Sequence, residues 1–220
     1  YGCGRTDACV HASQYVFHIE LQKSFDFDLK FRLNKVLPAE IAIYEVLEVN
    51  DVCHARFDAT SRTYDYFIHS YKDPFLTDYS SFYPLEGLDF DAMRQAVAIL
   101  PLYTDFKGLC KKPLTKSGTL CKVTHAQIYL DESGQRFRFT ITANRFLQGM
   151  VRLCVYFLLK IGNREMTFKE FEQMLANQVI LPNKMPAFPN GLFLSNIEYP
   201  YLKLKKQVGL CSFLKVGLEG

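Results

Sequence analysis

The chain has 220 residues, 49% of them hydrophobic, and a formal net charge of +3 at pH 7. That length can bury one sizeable core or two small ones sharing an interface. No apolar run approaches the roughly 20 residues that span a bilayer, and no secretory leader pattern opens the chain, so the reading is a cytoplasmic globular protein rather than a membrane or exported one. Seven cysteines lie scattered without CxxC pairs, which suits reduced core thiols better than a disulfide framework or a zinc site.

In chain order, Gly4 to Ala12 forms a polar, Gly-flanked segment. Ser13 to Glu20 then sets Tyr15, Phe17 and Ile19 on one parity and is expected to be a strand leaving it. Leu29, Leu33 and Val36 recur at helical spacing after Asp28, and Pro38 gives a stop. The Ile, Val and Tyr content of residues 41–49 predicts a strand. So does the alternation of Tyr64, Tyr66 and Ile68 against Thr63, Asp65 and Phe67.

Asp89 can cap a helix carrying Met93, Ala96, Val97 and Leu100, which Pro101 ends. Residues 123–130 and 136–142, joined by Asp131-Glu132-Ser133-Gly134, predict a hairpin with Phe137, Phe139 and Ile141 on one face and Arg136, Arg138 and Thr140 on the other. Met150, Leu153, Cys154, Phe157 and Ile161 mark a buried helix whose carboxyl end Gly162 signals. Thr167 and Glu170 make a capping box for a further helix, and residues 192–199 suit a final strand. Antiparallel hairpins mixed with helices, without a running βαβ rhythm, predict an α+β fold.

The charge is mild for a nucleic-acid binder, but its distribution is uneven. Lys107, Lys111, Lys112, Lys116 and Lys122 fall in a stretch with no acidic residue, broken by Gly108, Pro113 and Gly118. This basic loop is either a solvated connection or a phosphate-contacting one.

Asp7 follows Arg5 by two residues, a setting that favours an ionised carboxylate. Such a group can act as nucleophile or general base, and an ordinary loop aspartate bonding its own backbone is the alternative. Tyr64 reads as a core tyrosine sharing a strand face with Tyr66. Arg152, on a helix otherwise filled by Met150, Leu153 and Cys154, either reaches solvent from the helix edge or needs a buried partner.

Three blocks resemble one family. Gly4-Arg5-Thr6-Asp7-Ala8-Cys9-Val10-His11-Ala12 is similar to the GRTDAGVHA signature of the TruA tRNA pseudouridine synthases. His54 to Tyr66 resembles the family's HARFxATxRxYxY block, and Ala143 to Arg152 its ANxFxxxMVR block. Gly191-Leu192-Phe193-Leu194 is a weaker match to a GLxL element. The resemblance implies a pseudouridine synthase fold of two RNA-binding-like halves whose mostly antiparallel sheets adjoin. Residues 1–60 would carry the catalytic loop of the first half, and residues 61–220 would form the second.

It further implies that Asp7 is the catalytic nucleophile, attacking either C6 of the uracil or C1′ of the ribose. Tyr64 would pack on the target base, with a possible part in removing the C5 proton, and Arg152 would pair with the carboxylate. Arg5 would fill space left by a flipped nucleotide, joined in substrate binding by Lys111 and Lys112. The implied substrate is uridine 38, 39 or 40 of the tRNA anticodon stem-loop, gripped by a homodimer with no cofactor or metal. A non-catalytic RNA-binding protein on the same scaffold, or a synthase for another RNA, is the alternative.

His11 and His54 lie inside matching blocks and read as hydrogen-bonded scaffold. Cys9 replaces the usual Gly, and a Cβ costs about 1 kcal/mol if that position needs positive φ. The family normally begins further upstream with a YDGxxYxGWQ-like strand and a helix. The chain here opens on Tyr1, so a segment ahead of it is expected.

Overall fold

Strand β2 (Ser61–His69) lies at the centre of a six-stranded sheet, in the computed structural model that describes residues 1–22, 25–113, 118–205, 214, 215 and 217. It pairs antiparallel with β5 (Arg136–Ala143) on one side and β6 (Leu192–Glu198) on the other. Strand β4 (Val123–Leu130) forms the predicted hairpin with β5 and ends the sheet there. At the opposite edge the two-residue β1 (His11–Ala12) pairs parallel with β6, and β3 (Ser81–Phe82) runs parallel beside the end of β2.

Side-chain alternation sets the two faces. Tyr64, Tyr66 and Ile68 of β2 join Phe137, Phe139 and Ile141 of β5 in a core shared with the helices α2 (Phe90–Ala98), α3 (Met150–Gly162) and α4 (Phe168–Ala176). Each large side chain buried there contributes roughly 1.5–3 kcal/mol. The other face holds a smaller cluster of Phe67, Phe193 and Leu214, and beside it the buried Asp65. Asp65 accepts from Arg138 at 3.1 Å and Lys215 at 2.8 Å. Burial alone would raise its pKa, but Lys215 and Arg138 outweigh that and hold it below the usual carboxylate value.

The helix ends follow local chemistry. The side chains of Asp28 and Asp89 accept from the backbone of Phe31 and Ala92, and Thr167 with Glu170 completes its capping box. Gly162 is the last residue of α3, at the carboxyl end it was expected to signal, and Arg164 takes the left-handed conformation at φ 58°. Gly162 serves packing, since a Cβ there would meet Met93 Sδ at 2.5 Å and Leu88 Cδ2 at 3.1 Å.

Two expected strands are absent among the described residues. Residues 13–20 contribute a single bridge, Gly2 with Phe17, and residues 41–49 have no ladder. Tyr15, Phe17, Ile19, Tyr44 and Val46 are exposed. A β-pattern defines a face, but a strand also needs a continuous ladder: residues 13–20 make only a few backbone bonds, to Tyr1, Cys3 and Leu194, and residues 41–49 pair with no strand among the described residues. Nearby, α1 (Leu29–Val36) forms as expected and buries no residue.

The cysteines divide differently from expectation. Cys3, Cys110, Cys121 and Cys154 are buried, Cys53 is half-buried and Cys9 is exposed; Cys211 lies outside the described residues. Cys9 is at the surface because it stands on the tight turn that the Val10 amide closes on the Asp7 carbonyl. No helix among the described residues is long and apolar enough to cross a membrane.

Candidate active site

Asp7 stands on a loop anchored at both ends. On one side the buried Cys3 donates its amide to Val16 at 2.7 Å, and Tyr15 donates its hydroxyl to the Gly4 carbonyl at 2.8 Å. Gly2 is required beneath that ring, because a Cβ would lie 2.1 Å from the Tyr15 oxygen. On the other side β1 fixes His11 and Ala12 to β6. Between them the Val10 amide donates to the Asp7 carbonyl at 3.3 Å, closing a turn in which Cys9 has φ 62°. The position that holds Cys9 therefore does use the left-handed region.

The loop brings the Asp7 carboxylate, 38% exposed, to Arg152 in the first turn of α3. Arg152 Nη1 donates to Asp7 Oδ2 at 2.6 Å across 145 residues of sequence. The guanidinium is only 16% exposed, and its Nε donates to the Ala187 carbonyl at 2.6 Å. Two bonds from different nitrogens fix both the position and the plane of the group.

Tyr64 lies on the core face of β2, its ring edge-on to Phe146 at 5.0 Å. Next to it β6 carries a bulge: Asn196 pairs with Thr63 but Leu194 with Tyr64, leaving Ser195 as the extra residue. The Tyr64 phenol is pushed up to about 12, first by burial, then by Cys3, with Asp7 among the smaller causes. It is therefore a protonated, neutral ring at neutral pH.

Arg5 is exposed on the Asp7 loop. Lys111 and Lys112 are exposed too, and the Lys111 amide donates to Gln148 at 2.9 Å, so that side of the basic loop borders the entrance to α3. Lys116 lies outside the described residues. His11 Nε2 is 2.8 Å from the Asp78 carbonyl, its ring stacked on Phe193, while His54 Nδ1 accepts from the Arg56 and Phe57 amides. Both histidines hold loops in place.

One side chain central to this assembly received no role from the sequence. Arg62 uses all five of its N–H groups on the carbonyls of Cys3, Arg56, Ala59 and Asn144, at 2.7–3.4 Å. It joins the Asp7 loop, the 54–59 turn and the loop entering α3. Its parity was a readable signal, because Arg62 shares the inward face of β2 with Tyr64 and Tyr66, where a cation requires partners.

Residues 103–200 match the model of a tRNA pseudouridine synthase family. Across 90% of the chain, it is 39% identical to tRNA pseudouridine synthase A of Bacteroides fragilis, covering 79% of that protein. The corresponding protein of Porphyromonas gingivalis is 37% identical over 80% of its length, and that of Streptococcus sanguinis 32% identical over 81%. The chain belongs to the TruA family of tRNA pseudouridine synthases. It is accordingly an enzyme of an isomerase family, and its α+β sheet with flanking helices is consistent with the pseudouridine synthase fold.

Proposed function

We propose that this protein converts uridine to pseudouridine at positions 38, 39 and 40 of the tRNA anticodon stem-loop, with Asp7 as nucleophile. Isomerisation of tRNA uridine follows from the family. The observation that supports Asp7 as nucleophile is its 2.6 Å pair with Arg152, with the Tyr64 phenol within reach of the Asp7 charge.

The reaction breaks the C1′–N1 bond, forms C1′–C5, releases the C5 proton and leaves a proton on N1. Asp7 attacks C6 of the base or C1′ of the ribose, and both routes use the carboxylate that the Arg152 hydrogen bond holds in place. The detached uracil must turn while water is kept from the sugar, which requires a closed site. Tyr64 offers a ring for the base to pack on. With its phenol pushed up to about 12, proton removal from C5 by Tyr64 requires the bound substrate to lower that value first.

Arg5, Lys111 and Lys112 meet the RNA, Arg5 by filling the stack that a flipped nucleotide leaves and the lysines by contacting phosphates. Residues 1–60 form the unit that carries the catalytic loop, and residues 61–220 the unit that carries Tyr64 and Arg152. The working form is a cytoplasmic homodimer that needs no cofactor.

The test is to incubate full-length protein and its Asp7→Ala variant with unmodified tRNA and map pseudouridine at every position. Product at 38, 39 and 40 with wild type alone is expected. Product elsewhere would overturn the site assignment on the RNA, and undiminished product with the variant would overturn Asp7.

A further inference from the structure

Arg152 is held from behind by a segment that has no regular structure of its own. Residues 184–188 belong to no helix or strand, yet Ala187 donates its amide to the Arg152 carbonyl at 3.0 Å and accepts Arg152 Nε at 2.6 Å. The orientation of the guanidinium therefore depends on where the Ala187–Phe188 peptide stands. That peptide has no ladder to fix it.

Two phenols hold it instead, Tyr83 on the peptide itself and Tyr66 on the next one along the chain. Tyr66 donates its hydroxyl to the Phe188 carbonyl at 2.6 Å, and the Phe188 amide donates to the Tyr83 hydroxyl at 3.0 Å. The Tyr83 ring also stacks on Phe188 at 5.2 Å. Behind them the Tyr66 and Ser81 hydroxyls lie 2.9 Å apart, and Ser81 accepts from the Gly191 amide at 3.1 Å, tying the far end of the segment to β3. Gly191 permits the approach, since a Cβ there would sit 2.4 Å from the Phe67 carbonyl. Tyr66 is fully buried on the same strand face as Tyr64, so one strand presents the ring for the base and the donor behind Arg152.

We propose that Tyr66 and Tyr83 are positioning residues for Arg152, Tyr83 acting on the Ala187–Phe188 peptide directly and Tyr66 through the Phe188–Pro189 peptide that follows it. The inference rests on the reading of Arg152 as the partner of a catalytic Asp7. Burial, and secondarily Tyr83, keeps the Tyr66 phenol protonated far above neutral pH, so it remains a donor under working conditions. Removing either hydroxyl leaves a backbone polar group of Phe188 without its partner and frees the peptide to shift. A displacement of about 1 Å at a catalytic group can cost on the order of 100-fold in rate.

The experiment measures single-turnover rate and tRNA affinity for full-length Tyr66→Phe, Tyr83→Phe, Arg152→Lys, Arg152→Ala and the Tyr66→Phe/Arg152→Lys and Tyr83→Phe/Arg152→Lys doubles, with melting temperatures. Each Phe variant is expected to slow turnover roughly 10-fold while affinity stays within about twofold, and to add little to Arg152→Lys. A mainly structural role would instead lower the melting temperature and multiply independently with Arg152→Lys, overturning the inference. Wild-type rates in both Phe variants would do the same. Undiminished turnover by Arg152→Ala would overturn the reading of the site beneath it. Should Tyr66→Phe not fold, Tyr83→Phe, at the half-buried edge of the core, carries the same measurement with its own double.

Discussion

Arg152 binds the Asp7 carboxylate through Nη1 and the Ala187 carbonyl through Nε, both at 2.6 Å, so the cation is oriented by the scaffold before any substrate arrives. The carboxylate is partly open to solvent, and such a pair adds at most about 1 kcal/mol to folding. Its value is then in positioning charge. Asp7→Ala and Arg152→Ala are expected to melt within a few degrees of wild type while product formation falls by at least about 100-fold. Arg152→Lys should recover part of the loss, since Lys supplies charge without the planar fork. Thermal melts and single-turnover assays check these expectations.

Tyr64 predicts a pH profile. Its folded value of about 12 exceeds that of an exposed phenol near 10. A raised phenol value means the folded state binds the proton more tightly, so the stabilisation is complete below pH 10 and is lost as pH climbs through 12. Between pH 6 and 9 Tyr64 contributes no titration. Tyr64→Phe should lower the rate without changing the shape of the pH–rate curve over that range. A limb that vanishes in the variant would show that substrate brings the phenol into that window.

Arg62 makes a structural prediction. Replacing it with Ala leaves the carbonyls of Cys3, Arg56 and Asn144 without their donor, and should cost about 2–4 kcal/mol. Lys has one nitrogen where Arg has three and cannot reach all of these oxygens at once. Arg62→Lys is therefore expected to lose at least half as much stability, with turnover reduced because the Asp7 loop is freed. Urea titration and rate measurements on both variants test this.

Cys9 is strained where it stands. At φ 62° its side chain pays a penalty that Gly avoids, so Cys9→Gly should stabilise the folded chain by up to about 1 kcal/mol, reduced by the greater freedom Gly gives the unfolded chain. The rate should hold or rise, because the turn that carries Asp7 keeps its backbone. A loss of stability would mean the thiol makes a contact that offsets the strain.

The elements whose partners lie close in sequence were legible. The β4–β5 hairpin, the capping box at Thr167 and the Asp89 cap follow from residues a few positions apart. Residues 41–49 carry equally good β-pattern but no backbone to pair with, and a pattern cannot state that. For the site, the family blocks named Asp7, Tyr64 and Arg152, and the loop geometry unites the first and last. Arg62 left one readable mark, its inward parity on β2, but its partners, like those of Tyr66 and Tyr83, are backbone carbonyls and amides that every residue has and that a sequence does not distinguish.

The pairing of β1 with β6 also sets an order in time. His11 has its ladder partner, Phe193, only in the last strand of the sheet, and the Asp7 loop depends on that anchor. Contacts this remote form late, because a long loop must close first. A chain emerging from the ribosome thus contains Asp7 well before the strand that anchors its loop, and the pair with Arg152 is expected to set only once β6 has been made.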